Sequence, residues 1–344
     1  MTDSRRQSYI KYQLFMERTV YRILQKYDLT TTSLIDLSHK GYSGALIYHI
    51  KTEDNQFILK GYQPEIEVER ILFVHKVMAH VYDHGFTAIP LIYKTTNGET
   101  TLTYQDRIWE LSSVIQGKEK MDSFTDDDIA KLGSFVGKFH LATQGFSETE
   151  AYKRAKRTTS EQIHSEYERL TSLIKHNHGL LMKNGTETKV KEFLDQSDYF
   201  LQNVILKTDW DGLQNNIPYS IVHRDLWRAN IFFKNDSPSG IIDFLLTRWG
   251  SRLDDVGRVI QDFCDLDHSR TKTFLEQYNK IFPLNSAEED LLVPWMLQGN
   301  IFGTFWHIEQ YLKQENTRLG KEDNLSQNLE LALTIFKNAR ALNV

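Results

Sequence analysis

Hydrophobic positions change period along this chain, and the changes divide it. Over residues 7–27, Tyr9, Tyr12, Phe15, Met16, Val20, Ile23, Leu24 and Tyr27 recur at helical spacing, which predicts a leading helix packed on the segment after it. From Ser33 the pattern becomes that of strands: 34–37, 45–50 and 57–60, with Ser38 to Gly44 between the first two and a Glu53-Asp54-Asn55 turn before the third. Residues 64–84 return to helical spacing through Ile66, Val68, Ile71, Leu72, Val74, Val77, Met78 and Val81. Glu65, Glu67 and Glu69 suit the positive end of that helix. Residues 89–93, 101–104 and 107–115 read as strands again, with an Asn97-Gly98 turn between the first two. The pattern predicts a first domain over 1–115: the leading helix, a five-stranded antiparallel sheet drawn from these six runs, and one further helix.

Gln116 to Lys120 reads as a linker, and the second domain, 116–344, is predicted to be mostly helical. Thr125 before Asp126, Asp127 and Asp128 has the form of an N-cap with an acidic first turn, opening a helix to about Thr143. His140 falls on its apolar stripe, as a buried, hydrogen-bonded histidine would. Residues 148–178 have helical tendency and carry the basic run Lys153 to Arg157, and 190–206 read as another helix. Trp295, Phe302, Phe305, Trp306 and Tyr311 form an aromatic stripe expected in the core. The fold class is α+β, a small antiparallel sheet followed by helices.

One stretch interrupts the helices. Ile231-Phe232-Phe233 and Gly240-Ile241-Ile242 are apolar runs separated by Asn235 to Ser239, which predicts a hairpin with a loop longer than two residues. His223, Arg224, Asp225 and Asn230 lead into its first strand and Asp243 closes the second. A hairpin joins its outer ends, so Asn230 and Asp243 are expected side by side with Asp225 just before them. Two acceptors able to hold a divalent cation, beside a carboxylate placed to take a proton, describe a phosphoryl-transfer site. Downstream, Asp254 and Asp255 precede an apolar helical pattern, and one of them is expected to be its N-cap.

Composition narrows the function classes. Hydrophobic residues at 40% and charged residues at 25% are ordinary for a globular protein, and 344 residues suit two domains or one bilobal one. A net charge of −5 argues against a general nucleic-acid binder and permits cationic substrates. The single cysteine, Cys264, excludes an internal disulfide and fits a reducing compartment. With no secretory signal and no apolar run of membrane-spanning length, a cytoplasmic protein without membrane partners is expected.

His223-Arg224-Asp225-Leu226, three residues and then Asn230 match the protein-kinase catalytic loop at every fixed position. A sheet region ending a strand on Lys60, then VHRDLWRANIFF, GIIDF and RLDDVGRVI, resembles the aminoglycoside phosphotransferase and choline kinase-like superfamily over most of residues 33–310. The resemblance implies a bilobal protein kinase-like fold with a nucleotide-binding sheet lobe and a helical catalytic lobe, using ATP and Mg²⁺. By it, Asp225 is the catalytic base, Asn230 and Asp243 are metal ligands and Lys60 anchors phosphate. Gly41 and Gly44 then lie near the phosphates, Leu111 to Ile115, including Ser113, form the hinge meeting adenine, and Glu69 is the expected ion-pair partner of Lys60.

Departures from the pattern carry information. The superfamily usually has Gly where Arg224 stands, and Asp243-Phe244 is followed by Leu245 rather than the Gly of protein kinases. No Ala-Pro-Glu follows, and only ten residues separate Asp243 from Asp254. That is short for a protein-kinase activation segment and favours a small-molecule hydroxyl acceptor: an aminoglycoside, choline, homoserine or a sugar-like compound. The alternatives are a non-catalytic kinase-fold scaffold of the spore-coat kind and a protein serine/threonine kinase. Lys60, Asp225, Asn230 and Asp243 together argue against a scaffold, which needs none of them.

Overall fold

The computed structural model describes residues 16–38, 44–147, 159–177, 181, 186–313 and 322–341. Contacts group the chain into two compact units. One runs through Ala79 and includes Ala88–Ile115, and the other takes His80–Thr87 and everything from Gln116 onward.

In the first unit, α1 (16–24) ends in a tight turn, Gln25–Tyr27, closed by Asp28 in the left-handed region (φ 54°). Then come β1 (Ser33–Asp36), β2 (Leu46–Lys51), β3 (Gln56–Gly61), α2 (Val68–Asp83), β4 (Ile92–Tyr93), β5 (Leu102–Tyr104) and β6 (Arg107–Ser113). All pairs are antiparallel, in the order β1-β2-β3-β6-β4 with β5 also on β6. The sheet therefore has six strands rather than the expected five. Leu111 lies between Leu59 and Tyr93, and Trp109 between Gly61 and Leu102, so β4 and β5 share one edge of β6 end to end. Pro90, which has no N–H to give, helps confine β4 to two residues.

Strand alternation gives this sheet two faces. Tyr48, Ile50, Phe57, Leu59, Trp109 and Leu111 point to one face and form a single buried cluster with Met16, Val20, Ile23 and Leu24 of α1. Gly61 permits that packing, since a Cβ there would stand 2.7 Å from the Trp109 ring. Ile58, Lys60, Glu110 and Ser112 alternate to the other face, where His75 of α2 reaches Glu110.

The second unit begins with β7 (Lys118–Glu119), which pairs with β9, so the linker-like stretch is partly a strand. Its helices are α3 (Asp126–Ala142), α4 (Ser160–His176), α5 (Thr186–Asn203) and α6 (Trp210–Gln214), then α7 (Leu253–Cys264), α8 (His268–Ile281), α9 (Ser286–Leu312) and α10 (Glu322–Ala341). Between α6 and α7 lie β8 (Tyr219–Val222), β9 (Ile231–Lys234), β10 (Ser237–Ile241) and β11 (Arg248–Ser251). Thr125 caps α3 through a reciprocal capping box with Asp128. The basic run at 153–157 lies outside the described residues. The aromatic stripe of α9 divides: Phe305 packs between Tyr167 and Phe193, whereas Trp306 is 44% exposed. Among the described residues no helix is long and apolar enough to cross a membrane.

Candidate active site

The hairpin forms with a tighter turn than expected. Lys234 faces Ser237, leaving a two-residue loop of Asn235 and Asp236, both at positive φ (50° and 53°). That is the backbone of the mirror-image turn that suits strand twist. Ser237 and Pro238, read from sequence as loop, belong to β10. A bulge at Ser239 corrects the register, and its hydroxyl donates to the Gln116 carbonyl at 2.6 Å. At the open end, the Ile242 N–H donates to the Asn230 carbonyl at 3.0 Å. Asp243 is the next residue and turns into the left-handed region (φ 63°).

The segment entering β9 is fixed from within. His223 is fully buried, and its Nε2 meets the Ile242 carbonyl at 3.1 Å. A carbonyl only accepts, so the ring hydrogen sits on Nε2, and Nδ1 accepts the Asp225 N–H at 3.2 Å. Burial lowers the His223 pKa, which keeps the ring neutral in this role. Asn230 donates its side-chain amide to Asp225 twice, to the main-chain oxygen at 2.9 Å and to Oδ2 at 2.7 Å. The amide oxygen of Asn230 remains an acceptor. Arg224 stands at φ 69°, in the region glycine occupies without penalty.

Neither Asp254 nor Asp255 is an N-cap. Helix α7 starts at Leu253 after Arg252, which makes no side-chain cap bond, so both acids lie inside the first turn. Asp255 is fully buried and accepts the backbone N–H of His223 at 2.7 Å and of Arg224 at 2.6 Å. It also meets His140 Nε2 at 3.1 Å, while His140 Nδ1 meets the Tyr278 hydroxyl at 2.7 Å. Burial pushes the Asp255 pKa up, but the hydrogen bonds it accepts, first that from His140, outweigh it and hold the group below the usual carboxylate range. Asp254 accepts from Arg248 at 2.8 Å and Trp295 at 3.0 Å, with Arg224 at 3.4 Å. Sequence reading missed Asp255 as the anchor of the loop; the signal available was a second acid where one cap would suffice.

Asp225 has a raised pKa of about 6, first because it is buried and then because the Asp243 carboxylate repels its charge. Two carboxylates that repel across a confined space, next to an amide oxygen, form a hard-oxygen donor set. Among the described residues no group of three or more His, Cys, Asp and Glu side chains is placed to hold a metal. An amide oxygen and a carboxylate, as Asn230 and Asp243 offer, are donors of the kind that fit Mg²⁺, which keeps waters and phosphate oxygens among its ligands.

The sheet-lobe candidates belong to the first unit. Lys60 lies directly opposite Glu110 on β6, with its ammonium 4.9 Å from the Tyr62 ring centroid. Gly44 is at φ 68°, and Gly41 lies outside the described residues. Glu69 is exposed on the first turn of α2 and makes no ion pair among the described residues, contrary to the expected pairing with Lys60. Leu111 does not suit the hinge role. Its side chain belongs to the buried α1 cluster, and it has a paired strand on each side. Ser113 is engaged too: its N–H donates to the Leu91 carbonyl at 2.8 Å and its hydroxyl accepts the Leu91 N–H at 2.9 Å.

The chain is similar to several known proteins. A homoserine kinase of Methylobacillus flagellatus is 23% identical over 283 residues, covering 80% of this chain and 79% of that protein. Spore coat protein S of Bacillus subtilis is 30% identical over 141 residues, covering 41% of this chain and 38% of that one. The crystal structure of a spectinomycin phosphotransferase with ADP and spectinomycin shares the fold, with a TM-score of 0.67 at 13% identity, covering 95% of this chain and 98% of that one. The phosphotransferase enzyme family matches residues 39–287, the span that holds Lys60, the Asp225 loop, the hairpin and Asp255, and the chain belongs to that family.

Proposed function

We propose that this protein is an ATP-dependent kinase that phosphorylates a hydroxyl group of a small acceptor. The observation that carries the reading is the double hydrogen bond from Asn230 to Asp225 at the hairpin end that Asp243 closes. In the reaction, the bond from the γ-phosphorus to the ADP oxygen breaks, a bond to the acceptor oxygen forms, and the acceptor proton passes to Asp225. Asn230 occupies Oδ2 and so leaves Oδ1 of Asp225 to receive that hydroxyl. A carboxyl with a pKa of about 6 is ionised at neutral pH and is a stronger base than an ordinary aspartate. His223 and Asp255 orient the loop and transfer no proton. Asn230 and Asp243 would hold Mg²⁺, whose chemistry when bound is to neutralise phosphate charge, and Lys60 would hold the non-transferring phosphates.

Asp254, Asp262 and Asp265 are the helical-unit acids that could meet an acceptor amine; Asp254 is taken by Arg248 and Trp295, and Asp265 pairs with Arg228 and Arg270. Among the described residues the Asp262 carboxylate has one ion pair, a loose one with Arg258 at 3.6 Å, and feels Arg228 nearby; Asp225 feels both Arg258 and Asp262, so Asp262 is the better candidate. A homoserine kinase among the relatives supports an amino-alcohol acceptor. A scaffold role would leave the buried bonds that hold the Asp225 loop without purpose.

The test is an ATP-consumption screen with Mg²⁺ over amino alcohols, homoserine-like compounds, sugars and aminoglycosides. Acceptor-dependent ADP release with a phosphorylated product is expected. No acceptor-dependent release, together with no Mg²⁺-dependent nucleotide binding, would overturn the reading in favour of a scaffold.

A further inference from the structure

We infer that Arg258 and Asp262 of α7 together bind the amino-acid end of a hydroxy amino acid, its carboxylate on Arg258 and its ammonium on Asp262, while its side-chain hydroxyl reaches Asp225. The inference rests on the reading of the protein as a small-acceptor kinase and narrows its substrate class. Both ends of the catalytic loop are pinned to one side of α7. Asp255 accepts the N–H groups of His223 and Arg224, and two turns on, about 10 Å along the helix, the Asp262 carbonyl accepts Nε–H of Arg228. Asp225 therefore lies against the stretch between, which carries Arg258 one turn from each end. The charges of Arg258 and Asp262 both reach it.

Helix α7 is buried on every side but one. Within it Asp254 and Arg258 are the residues not buried, and Asp265 at its C-terminal end continues their stripe. Asp254 and Asp265 are engaged by arginines of the protein itself. Arg258 is not tied in this way: among the described residues its guanidinium makes no hydrogen bond and has one ion pair, with Asp262 at 3.6 Å. That separation is too long for a hydrogen bond.

Asp262 is 8% exposed, and its carboxylate meets the main-chain N–H of Arg228. A carboxylate has room for about four hydrogen bonds, and a buried one calls for a cation that donates to it. An ammonium does both. A guanidinium with its donors unused takes a carboxylate at two points. An amino acid bears these two groups on one carbon, with signs the reverse of the protein pair, and its arrival leaves the net charge of the site unchanged. A plain amino alcohol would engage Asp262 and leave Arg258 idle.

The test is kcat/KM with Mg²⁺-ATP for homoserine, for 3-aminopropan-1-ol, which lacks only the carboxylate, and for 4-hydroxybutyrate, which lacks only the amine. The parent is expected to favour homoserine over each at least about tenfold. Arg258→Gln is expected to lower the value for homoserine about 10- to 100-fold and to leave that for 3-aminopropan-1-ol within about threefold. Arg258→Lys, which keeps the charge, should recover part of the loss. Asp262→Asn, which keeps an oxygen for the Arg228 N–H, should lower the value for both amines and spare 4-hydroxybutyrate. Equal losses for the two amines in Arg258→Gln, or none, overturn the inference. So does a parent that consumes ATP with acceptors lacking a carboxylate and with no hydroxy amino acid. Both results leave the kinase reading standing. Should no acceptor release ADP, calorimetric titration of homoserine into the nucleotide-free parent and Arg258→Gln decides the matter. Binding lost in the variant keeps the subsite and counts against the kinase reading alone, whereas no binding to the parent overturns the subsite too.

Discussion

The side-chain amide of Asn230 grips Asp225 at two points, its main-chain oxygen at 2.9 Å and its Oδ2 at 2.7 Å. One residue thus closes the loop and orients the carboxylate, and its own amide oxygen remains an acceptor. Asn230→Ala is expected to lower turnover by about 10- to 100-fold and to raise the Mg²⁺ concentration needed for half-maximal rate. Asn230→Asp is expected to do worse, because a further carboxylate against Asp225 raises its pKa again. Initial rates across a Mg²⁺ titration check both.

Asp225 links activity to stability. Its pKa rises from 3.8 to about 6 on folding, so between those values the folded chain binds more protons than the unfolded one. By this group, stability falls as pH rises from about 4 to about 6, by at most about 3 kcal/mol. Asp225→Asn removes the charge, and in Mg²⁺-free buffer it should be more stable than the parent at pH 8 and little changed at pH 4. Urea midpoints at the two pH values decide it. Activity runs the other way, since the base must be ionised: the rate is expected to fall below about pH 6.

Asp255 holds two backbone N–H groups and His140 in a site closed to water. Asp255→Ala leaves all three donors buried and unpaired, with an expected loss of about 3 to 5 kcal/mol. Denaturant unfolding measures it, and any folded fraction should retain little turnover because the His223-Arg224-Asp225 backbone has lost its anchor.

Arg224 occupies a left-handed backbone position. Arg224→Gly should relieve about 1 kcal/mol of strain and lose a partly exposed contact with Asp254 of similar size, leaving stability within about 1 kcal/mol of the parent. Arg224→Val, β-branched at positive φ, should cost about 1 to 2 kcal/mol. Thermal melts of the two variants test the assignment.

Local signals were legible in sequence. The hairpin and its polar ends follow from two apolar runs and the turn residues between them, and the Thr125 cap from three consecutive acids. Longer-range relations were not. Asp255 looks like a helix cap because its partners, the N–H groups of His223 and Arg224, lie more than thirty residues earlier. Leu111 looks like a hinge residue until the alternation around Trp109 places it in the α1 core. The two-residue strand β7, inside the stretch read as a linker, is too short to leave a period.

The most direct test of the central claim is the rate of phosphoryl transfer by Asp225→Asn to whichever acceptor the screen identifies, measured beside its affinity for Mg²⁺-ATP. Turnover is expected to fall by about 10² to 10⁴ while nucleotide affinity stays within about threefold of the parent. Full turnover in Asp225→Asn would contradict the account.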